Sequence, residues 1–168
     1  MQAIQVRKEL TDSWQDHGVK EGKDFAILTN EITKAWSGMT TREYKDFKGF
    51  KKQNLRDNMS STELILNMLA ETATKDIANT SNPQGLEENR KVAKRGGNVA
   101  KVAKETLEQE TGKPVITPKN AIDFGRLIIE VIKKFPKKEE LENLEEEDDF
   151  FSEAEEYEES EASETEDI

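Results

Sequence analysis

The distribution of charge is the feature that most constrains how this chain can fold. Residues 139–168 contain 17 acidic residues and no basic ones, whereas residues 1–138 contain 25 basic and 19 acidic residues. A segment with so many like charges and so few apolar side chains cannot offset the conformational entropy lost on folding, about 1–2 kcal/mol per residue. The sequence therefore predicts a helical domain over residues 1–138 and a disordered acidic tail over residues 139–168.

Three aromatic residues in the tail suggest a role in binding. Phe150, Phe151 and Tyr157 lie among the carboxylates and would supply apolar anchors on a basic partner surface. The same composition also fits a tail that only keeps the protein soluble. A third reading is a tail that folds back onto the chain's own cations, through contacts that salt would weaken.

The body shows the apolar spacing of helices throughout and predicts an all-α bundle of about six helices. Phe25, Leu28, Ile32 and Trp36 recur at helical spacing and should form one buried stripe. Capping boxes are expected at Thr40 with Glu43 and at Ser60 with Glu63. The helix after Ser60 carries a wide apolar face and is the strongest candidate for the core. That face consists of Leu64, Ile65, Met68 and Leu69.

Several helix boundaries follow from capping residues. Asp24 is a candidate cap for the second helix, and Gly49 should end the short helix that follows Thr40. Asn82 and Pro83 resemble the start of a long helix that would end at Gly112. A last helix is expected over residues 121–135, closed by Pro136, and a sub-boundary within the body is possible near residue 59.

Two groups of cations are candidate contacts for a partner or for nucleic acid. At about 100° per residue, one group forms a ridge along the long helix, opposite an apolar seam in which Gly96, without a side chain, should allow another helix to approach closely. The ridge consists of Arg90, Lys94, Lys101 and Lys104. The second group alternates with aromatic residues, as nucleic-acid-binding surfaces often do. It consists of Arg42, Lys45, Lys48, Lys51 and Lys52.

Residues suited to catalysis are sparse. The chain has no Cys and a single His, His17, at a helix end, so neither thiolate chemistry nor a conventional zinc site is expected. No phosphate-binding loop or nucleophile motif occurs, and carboxylates in a disordered tail cannot be held in catalytic geometry. We expect no catalytic residue, cofactor or metal. The absence of an apolar signal core and of a long apolar stretch favours a cytoplasmic protein with no membrane segment.

Three stretches in order indicate a family: "DFAILTNEITKAW", "GFKKQNLRDNMSSTELILNMLAETAT" and "NPQGLEENRKVAKRGGNVAKVAKETLEQETGKPVI". Together they resemble the C-terminal region of DNA-damage-inducible protein D and of related phage BRO-type antirepressors, from about Ile4 to Val131. The resemblance implies a role in DNA-damage responses or prophage regulation and implies no catalytic residues. Such proteins usually begin with a BRO-type domain, and we expect this chain to start where the linker after that domain would lie. The acidic tail lies outside the resemblance.

These observations favour a non-enzymatic regulatory protein that binds a protein partner in DNA damage response, recombination or phage–host regulation. Two alternatives remain open. In the first, the basic body binds nucleic acid and the acidic tail competes with it. In the second, the tail imitates nucleic acid and inhibits a host nuclease or defence protein. The oligomeric state does not follow from the sequence.

Overall fold

The computed structural model describes residues 2–118, and within this range every regular element is helical, which confirms the all-α class. The elements are α1 Gln2–Asp16, α2 Lys23–Ser37, α3 Thr41–Lys48, a 3₁₀ turn Arg56–Asn58, α4 Ser61–Ser81 and α5 Gly85–Thr111. The helix expected over residues 121–135 and the tail with Phe150, Phe151 and Tyr157 lie outside the described residues.

The core forms around α4 and α5, which pack as an antiparallel pair joined by residues 82–84, with α1 and α2 covering one side. The stripe predicted on α2 is confirmed, because Phe25, Leu28, Ile32 and Trp36 are all buried. Trp14 of α1 meets Phe25 with ring centroids 5.2 Å apart. These large side chains all belong to the hydrophobic core, together with Leu66 and Ala70 of α4 and Ala93 and Ala100 of α5.

Two adjacent glycines set the close approach of α5 to its neighbours. A Cβ atom on Gly96 would lie 1.9 Å from Oγ1 and 2.6 Å from Cα of Thr74 on α4. A Cβ atom on Gly97 would lie 2.4 Å from Cβ of Ala35 on α2. The expectation that Gly96 permits a close helix contact is confirmed, and Gly97 does the same toward α2.

Both predicted capping boxes are present. Thr40 and Ser60 each accept a hydrogen bond from the backbone N–H of a glutamate three residues later, Glu43 and Glu63, whose carboxylate accepts from the cap's own N–H. Gly49 ends α3 in the left-handed conformation, with φ of 81°. The short α3 is therefore fixed at both ends by local hydrogen bonds.

Two other predicted helix starts were wrong. Asn82 does not begin a helix; it ends α4 in the left-handed conformation, with φ of 47°, and its N–H donates to Ala78 O at 2.8 Å. The reason is that α4 continues through Ser81, and Asn tolerates this conformation better than most residues. The cap position of α2 is taken by Gly22, and Asp24 lies in the first turn of the helix.

The predicted apolar face of α4 was wrong as a core assignment. Ile65 is 64% exposed and Leu69 is also exposed, while Leu64 and Met68 are only half-buried. The buried face contains Leu66, Ala70 and Ala78 together with polar side chains, which are Glu63, Asn67, Glu71 and Thr74. Small residues on this face let α4 approach α5 closely, which leaves the bulky apolar residues on the outside.

Candidate partner-binding surfaces

Buried carboxylates on α4 hold the surrounding elements in place. Glu63 accepts a hydrogen bond from the hydroxyl of Tyr44 at 2.7 Å, and its carboxylate oxygens lie 2.8 Å from Lys48 Nζ. Burial, followed by the negative charge of Glu63 and the hydrogen bond to it, raises the pKa of Tyr44 well above its usual range. The Glu63 carboxylate therefore fixes α3 against the beginning of α4.

The second carboxylate joins distant parts of the chain. Glu71 Oε1 accepts hydrogen bonds from Arg7 of α1, from Arg56 Nη2 at 2.7 Å and from Asn67 Nδ2 at 3.0 Å. Asn67 Oδ1 in turn accepts from Trp36 Nε1 at 3.3 Å. These bonds connect residues on both sides of position 59, where a sub-boundary was expected.

The sequence did not predict that these residues are buried, because the buried face of α4 was predicted from the positions of its large apolar side chains. A signal was present, since Glu63, Asn67 and Glu71 recur every four residues and Thr74 follows three later. That spacing places them on one face of a helix. Polar residues at such spacing normally indicate a face exposed to solvent. Here the face is buried because cations from other elements contact it, and the spacing within one helix does not reveal those contacts.

Carboxylates accompany every member of the cationic ridge predicted on α5. Arg90 Nη2 lies 2.6 Å from Glu31 Oε1 on α2, and the Glu31 carboxylate also lies 3.7 Å from Lys94 Nζ. The hydrogen bond to Glu31 is the main cause that raises the pKa of Arg90. The remaining two cations form ion pairs within α5, Lys101 with Glu105 at 3.8 Å and Lys104 with Glu108 at 3.4 Å. The ridge is therefore locally neutralised.

The cations predicted between Arg42 and Lys52 separate into a buried and an exposed group. Lys45 and Lys48 are buried, and Lys48 is committed to Glu63. Arg42, Lys51 and Lys52 are exposed. Only the exposed group is accessible to a partner.

Phe47 of α3 is the aromatic side chain that accompanies the exposed cations. Its side chain is 44% exposed, whereas Tyr44 and Phe50, the other aromatics of this stretch, are buried. We call the combination of Arg42, Phe47, Lys51 and Lys52 the α3 surface. It offers one apolar anchor and three positive charges, two of which lie on the turn after α3, and the carboxylates of Glu43 and Asp46 on α3 are exposed as well.

A second exposed surface is apolar. Of the six large apolar side chains that are exposed within residues 2–118, five lie on α4 and α5. We call these five side chains the hairpin strip; they are Ile65, Leu69, Val99, Val102 and Leu107.

The excess positive charge of the body lies mostly outside the described residues. Residues 1–118 contain 19 basic and 17 acidic residues, whereas residues 119–138 contain six basic and two acidic residues. The described domain is therefore almost neutral overall, which weakens its long-range attraction for a polyanion.

The described residues were also compared with the requirements of a metal site and of a membrane-spanning helix. Among residues 2–118, no group of three or more His, Asp or Glu side chains is placed to hold a metal ion. None of the helices over the same range is long and apolar enough to cross a membrane.

Comparison with known proteins places the chain in a family. The model of the DinD C-terminal domain matches residues 2–123, which includes all five described helices and both capping boxes. Searches of the curated proteins and of the solved structures found no match. The match covers well over half of the chain and agrees with the resemblance seen in its motifs, so the chain belongs to the DinD C-terminal domain family.

Proposed function

We propose that this chain is a non-enzymatic regulatory protein that acts by binding a protein partner in DNA damage response, recombination or phage–host regulation. Membership of the DinD C-terminal domain family supports the general setting. The observation that carries the proposal is the α3 surface, where the exposed ring of Phe47 lies on the same short helix and following turn as three exposed cations.

The chemistry of the α3 surface fits an acidic partner segment that carries an apolar side chain. Arg42, Lys51 and Lys52 would attract carboxylates, and Phe47 would be desolvated in the contact. Aromatic and Arg side chains dominate the energetics of protein interfaces when a partner buries them. The Glu63 contacts with Tyr44 and Lys48 hold α3 in place before binding, which lowers the entropy cost of association.

The ridge on α5 is the weaker candidate for a partner contact. A partner anion would have to compete with Glu31 for Arg90 and Lys94, and with Glu105 and Glu108 for the other two cations. Breaking these pairs would offset much of the gain from new contacts. We therefore assign the main partner contact to the α3 surface, where Lys51 and Lys52 are exposed and the ring of Phe47 is 44% exposed.

Affinity capture from the native host after DNA damage tests this assignment. The bait is the full chain, compared with Phe47→Ala and with the double variant Lys51→Glu/Lys52→Glu. The matched control is Lys8→Glu, which reverses an exposed charge on α1. We expect a protein that the wild type and the control both capture and that both α3 variants lose. Equal capture by all four proteins would contradict the role of the α3 surface.

Nucleic-acid binding is the second candidate function, because an exposed aromatic ring beside cations can also stack on a base. Titration of single- and double-stranded DNA with the full chain and with a chain lacking residues 139–168 distinguishes the two. We expect neither protein to show tight, salt-dependent binding. Binding that appears on removal of the tail and disappears in Phe47→Ala would favour this alternative.

The non-enzymatic part of the proposal has its own test. Nuclease and hydrolase assays of the purified chain, with and without a divalent metal ion, should give no turnover above that of a mock preparation. Turnover that copurifies with the protein and survives repeated purification would contradict it.

A further inference from the structure

The part of the hairpin strip that lies on α5 faces away from α2. Gly96 approaches α4 and Gly97 approaches α2. At about 100° per residue, Val99 and Val102 are rotated about 60° and 120° from Gly96, in the direction opposite to Gly97. Both are exposed, Val102 by 54%. We call the sector of α5 from about 40° to about 140° in this direction the outer side; Leu107, at about 20° in the other direction, lies off it.

The first half of α4 adds two apolar side chains to this surface. Lys75 pairs with Glu9 at 2.6 Å and so marks the side of α4 that faces α1. Leu69 is rotated about 140° from Thr74 in the direction opposite to Lys75, and Ile65 lies at about 180°. Because α4 and α5 are antiparallel, both residues lie beside the second half of α5. The exposed apolar surface therefore extends over both helices.

The charged residues of α5 divide between its two sides. The cations of the ridge lie away from the outer side, and each has a carboxylate partner. On the outer side, Lys91, Arg95 and Glu110 are exposed, and none of the three forms an ion pair within residues 2–118. Glu88, also on this side, accepts a hydrogen bond from Gln84 N at 2.7 Å. The unpaired charges of α5 are thus confined to the side that carries Val99 and Val102.

The order of these charges along the helix is self-complementary. Lys91 and Arg95 precede Val99, and Glu110 follows Val102, so a basic end and an acidic end flank an apolar centre. Positions 91 and 110 are equally distant from the midpoint between Val99 and Val102. A two-fold axis through that midpoint would place Val99 against Val102 of a second copy. The same axis would bring Lys91 level with Glu110 of that copy, with Arg95 about one turn away.

The surface is also large enough for a dimer contact. With 21 residues, α4 is about 31 Å long, and two packed helices with their side chains are about 18–20 Å wide. The projected area is therefore about 600 Å², and the accessible surface of a helix pair exceeds its projection. A typical specific interface buries about 800 Å² on each partner. Apolar side chains at the centre and charges toward the ends match the usual arrangement of such an interface.

We propose that two copies of this chain associate through the outer side of α5 and the adjoining part of α4, around a two-fold axis between Val99 and Val102. Lys91 and Arg95 of each copy then lie beside Glu110 of the other. A second copy is the occupant that this surface specifies, because it supplies both the same apolar centre and the opposite charge at each end. The inference goes beyond the proposed function and does not depend on the α3 surface.

Sedimentation equilibrium of the full chain tests the proposal, over about 1 µM to about 1 mM protein. Physiological salt, with a screening length of about 8 Å, limits the repulsion between two chains of net charge −11. We expect a monomer–dimer equilibrium. Lys91→Glu/Arg95→Glu and, separately, Glu110→Arg put like charges at both ends and should each raise the dimer Kd about tenfold or more. The control Lys8→Glu/Lys34→Glu, on the exposed sides of α1 and α2, should leave it unchanged.

An equimolar mixture of the two charge variants distinguishes this interface from a general loss of folding. In a mixed dimer, the new carboxylates of one copy face the new guanidinium group of the other, and the unchanged Lys91 and Arg95 face the unchanged Glu110. Both ends are again opposite in charge. We expect the mixture to associate as tightly as the wild type, while each variant alone stays weak.

Three results would overturn the proposal. A wild type that stays monomeric over the whole range would leave the strip to a foreign partner or to another part of the same chain. A dimer that the charge variants do not weaken would have its interface elsewhere, and a mixture that stays weak would exclude the pairing of Arg95 and Lys91 with Glu110. None of these results would bear on partner capture by the α3 surface.

Discussion

Single buried charges decide how this domain is held together. Glu63 and Glu71 are at most 1% exposed, and each receives hydrogen bonds from two side chains of other elements or turns. Burying a charge without partners is costly, whereas a carboxylate with two cations in contact recovers much of that cost. Such contacts are directional, so they fix which residues of α1, α3 and α4 face each other.

Glu71→Ala should destabilise the domain by about 3–5 kcal/mol, because it leaves the guanidinium groups of Arg7 and Arg56 buried without their shared carboxylate. Urea unfolding followed by the fluorescence of Trp14 and Trp36, both buried, measures the loss. Glu9→Gln, which removes the charge of the partly exposed pair with Lys75, is the control and should change stability little. A Glu71→Ala protein as stable as this control would contradict the role of the buried network.

Tyr44 should make the domain lose stability in alkali. Its pKa in the folded protein is raised above the ordinary value of about 10, first by burial and then by Glu63. Above that pH the unfolded chain loses the phenolic proton while the folded chain keeps it, so the free energy of unfolding falls as pH rises. In a Tyr157→Phe background, tyrosinate absorbance should appear only together with unfolding. Titration of Tyr44 near pH 10 in the folded protein would refute this.

At the scale of elements, the sequence predicted several features that local rules determine, although the helix starts at Asp24 and Asn82 were wrong. The α2 stripe and the capping boxes at Thr40 and Ser60 depend on residues within one helix, and all are confirmed. The orientation of α4 was wrong because it depends on another element: cations from α1, from α3 and from the 3₁₀ turn draw Glu63 and Glu71 inward. Helical periodicity alone cannot show which of two competing faces will find such partners.

For the candidate contact residues too, the sequence predicted the arrangement within one element but not the contacts between elements. Arg42, Lys51 and Lys52 are exposed, as a partner contact would require, whereas Lys48 is buried in an ion pair with Glu63. The ridge on α5 has the expected arrangement, but Glu31, which comes from α2 in the fold, could not be placed beside Arg90 by sequence spacing. Whether any of these cations contacts a partner stays a prediction.

Gly96→Ala tests the packing of α4 on α5. The new Cβ would meet Thr74 Cα at 2.6 Å, and backbone atoms cannot move aside cheaply. Despite a gain of about 1 kcal/mol in helix propensity, we expect a net loss of about 1–3 kcal/mol in the free energy of unfolding. Asn98→Ala, two residues along on the exposed side, is the matched control and should stabilise slightly. Thermal unfolding compares the two; a more stable Gly96→Ala would contradict the close helix contact.

At the scale of the whole molecule, the charge is divided by region along the chain. The described domain is nearly neutral, the next twenty residues are basic, and residues 139–168 are strongly acidic. Because the described domain is nearly neutral, the proposed recognition depends on a local surface, the α3 surface, and not on the overall field.

The affinity of the captured partner for the purified chain is the most direct measurement. Isothermal titration would compare the wild type, Phe47→Ala, Lys51→Glu/Lys52→Glu and the control Lys8→Glu at physiological salt. The account predicts that both α3 variants bind about tenfold or more weakly, a change of about 1.4 kcal/mol or more, and that the control binds like the wild type. Equal affinity of all four proteins for the partner would contradict the account.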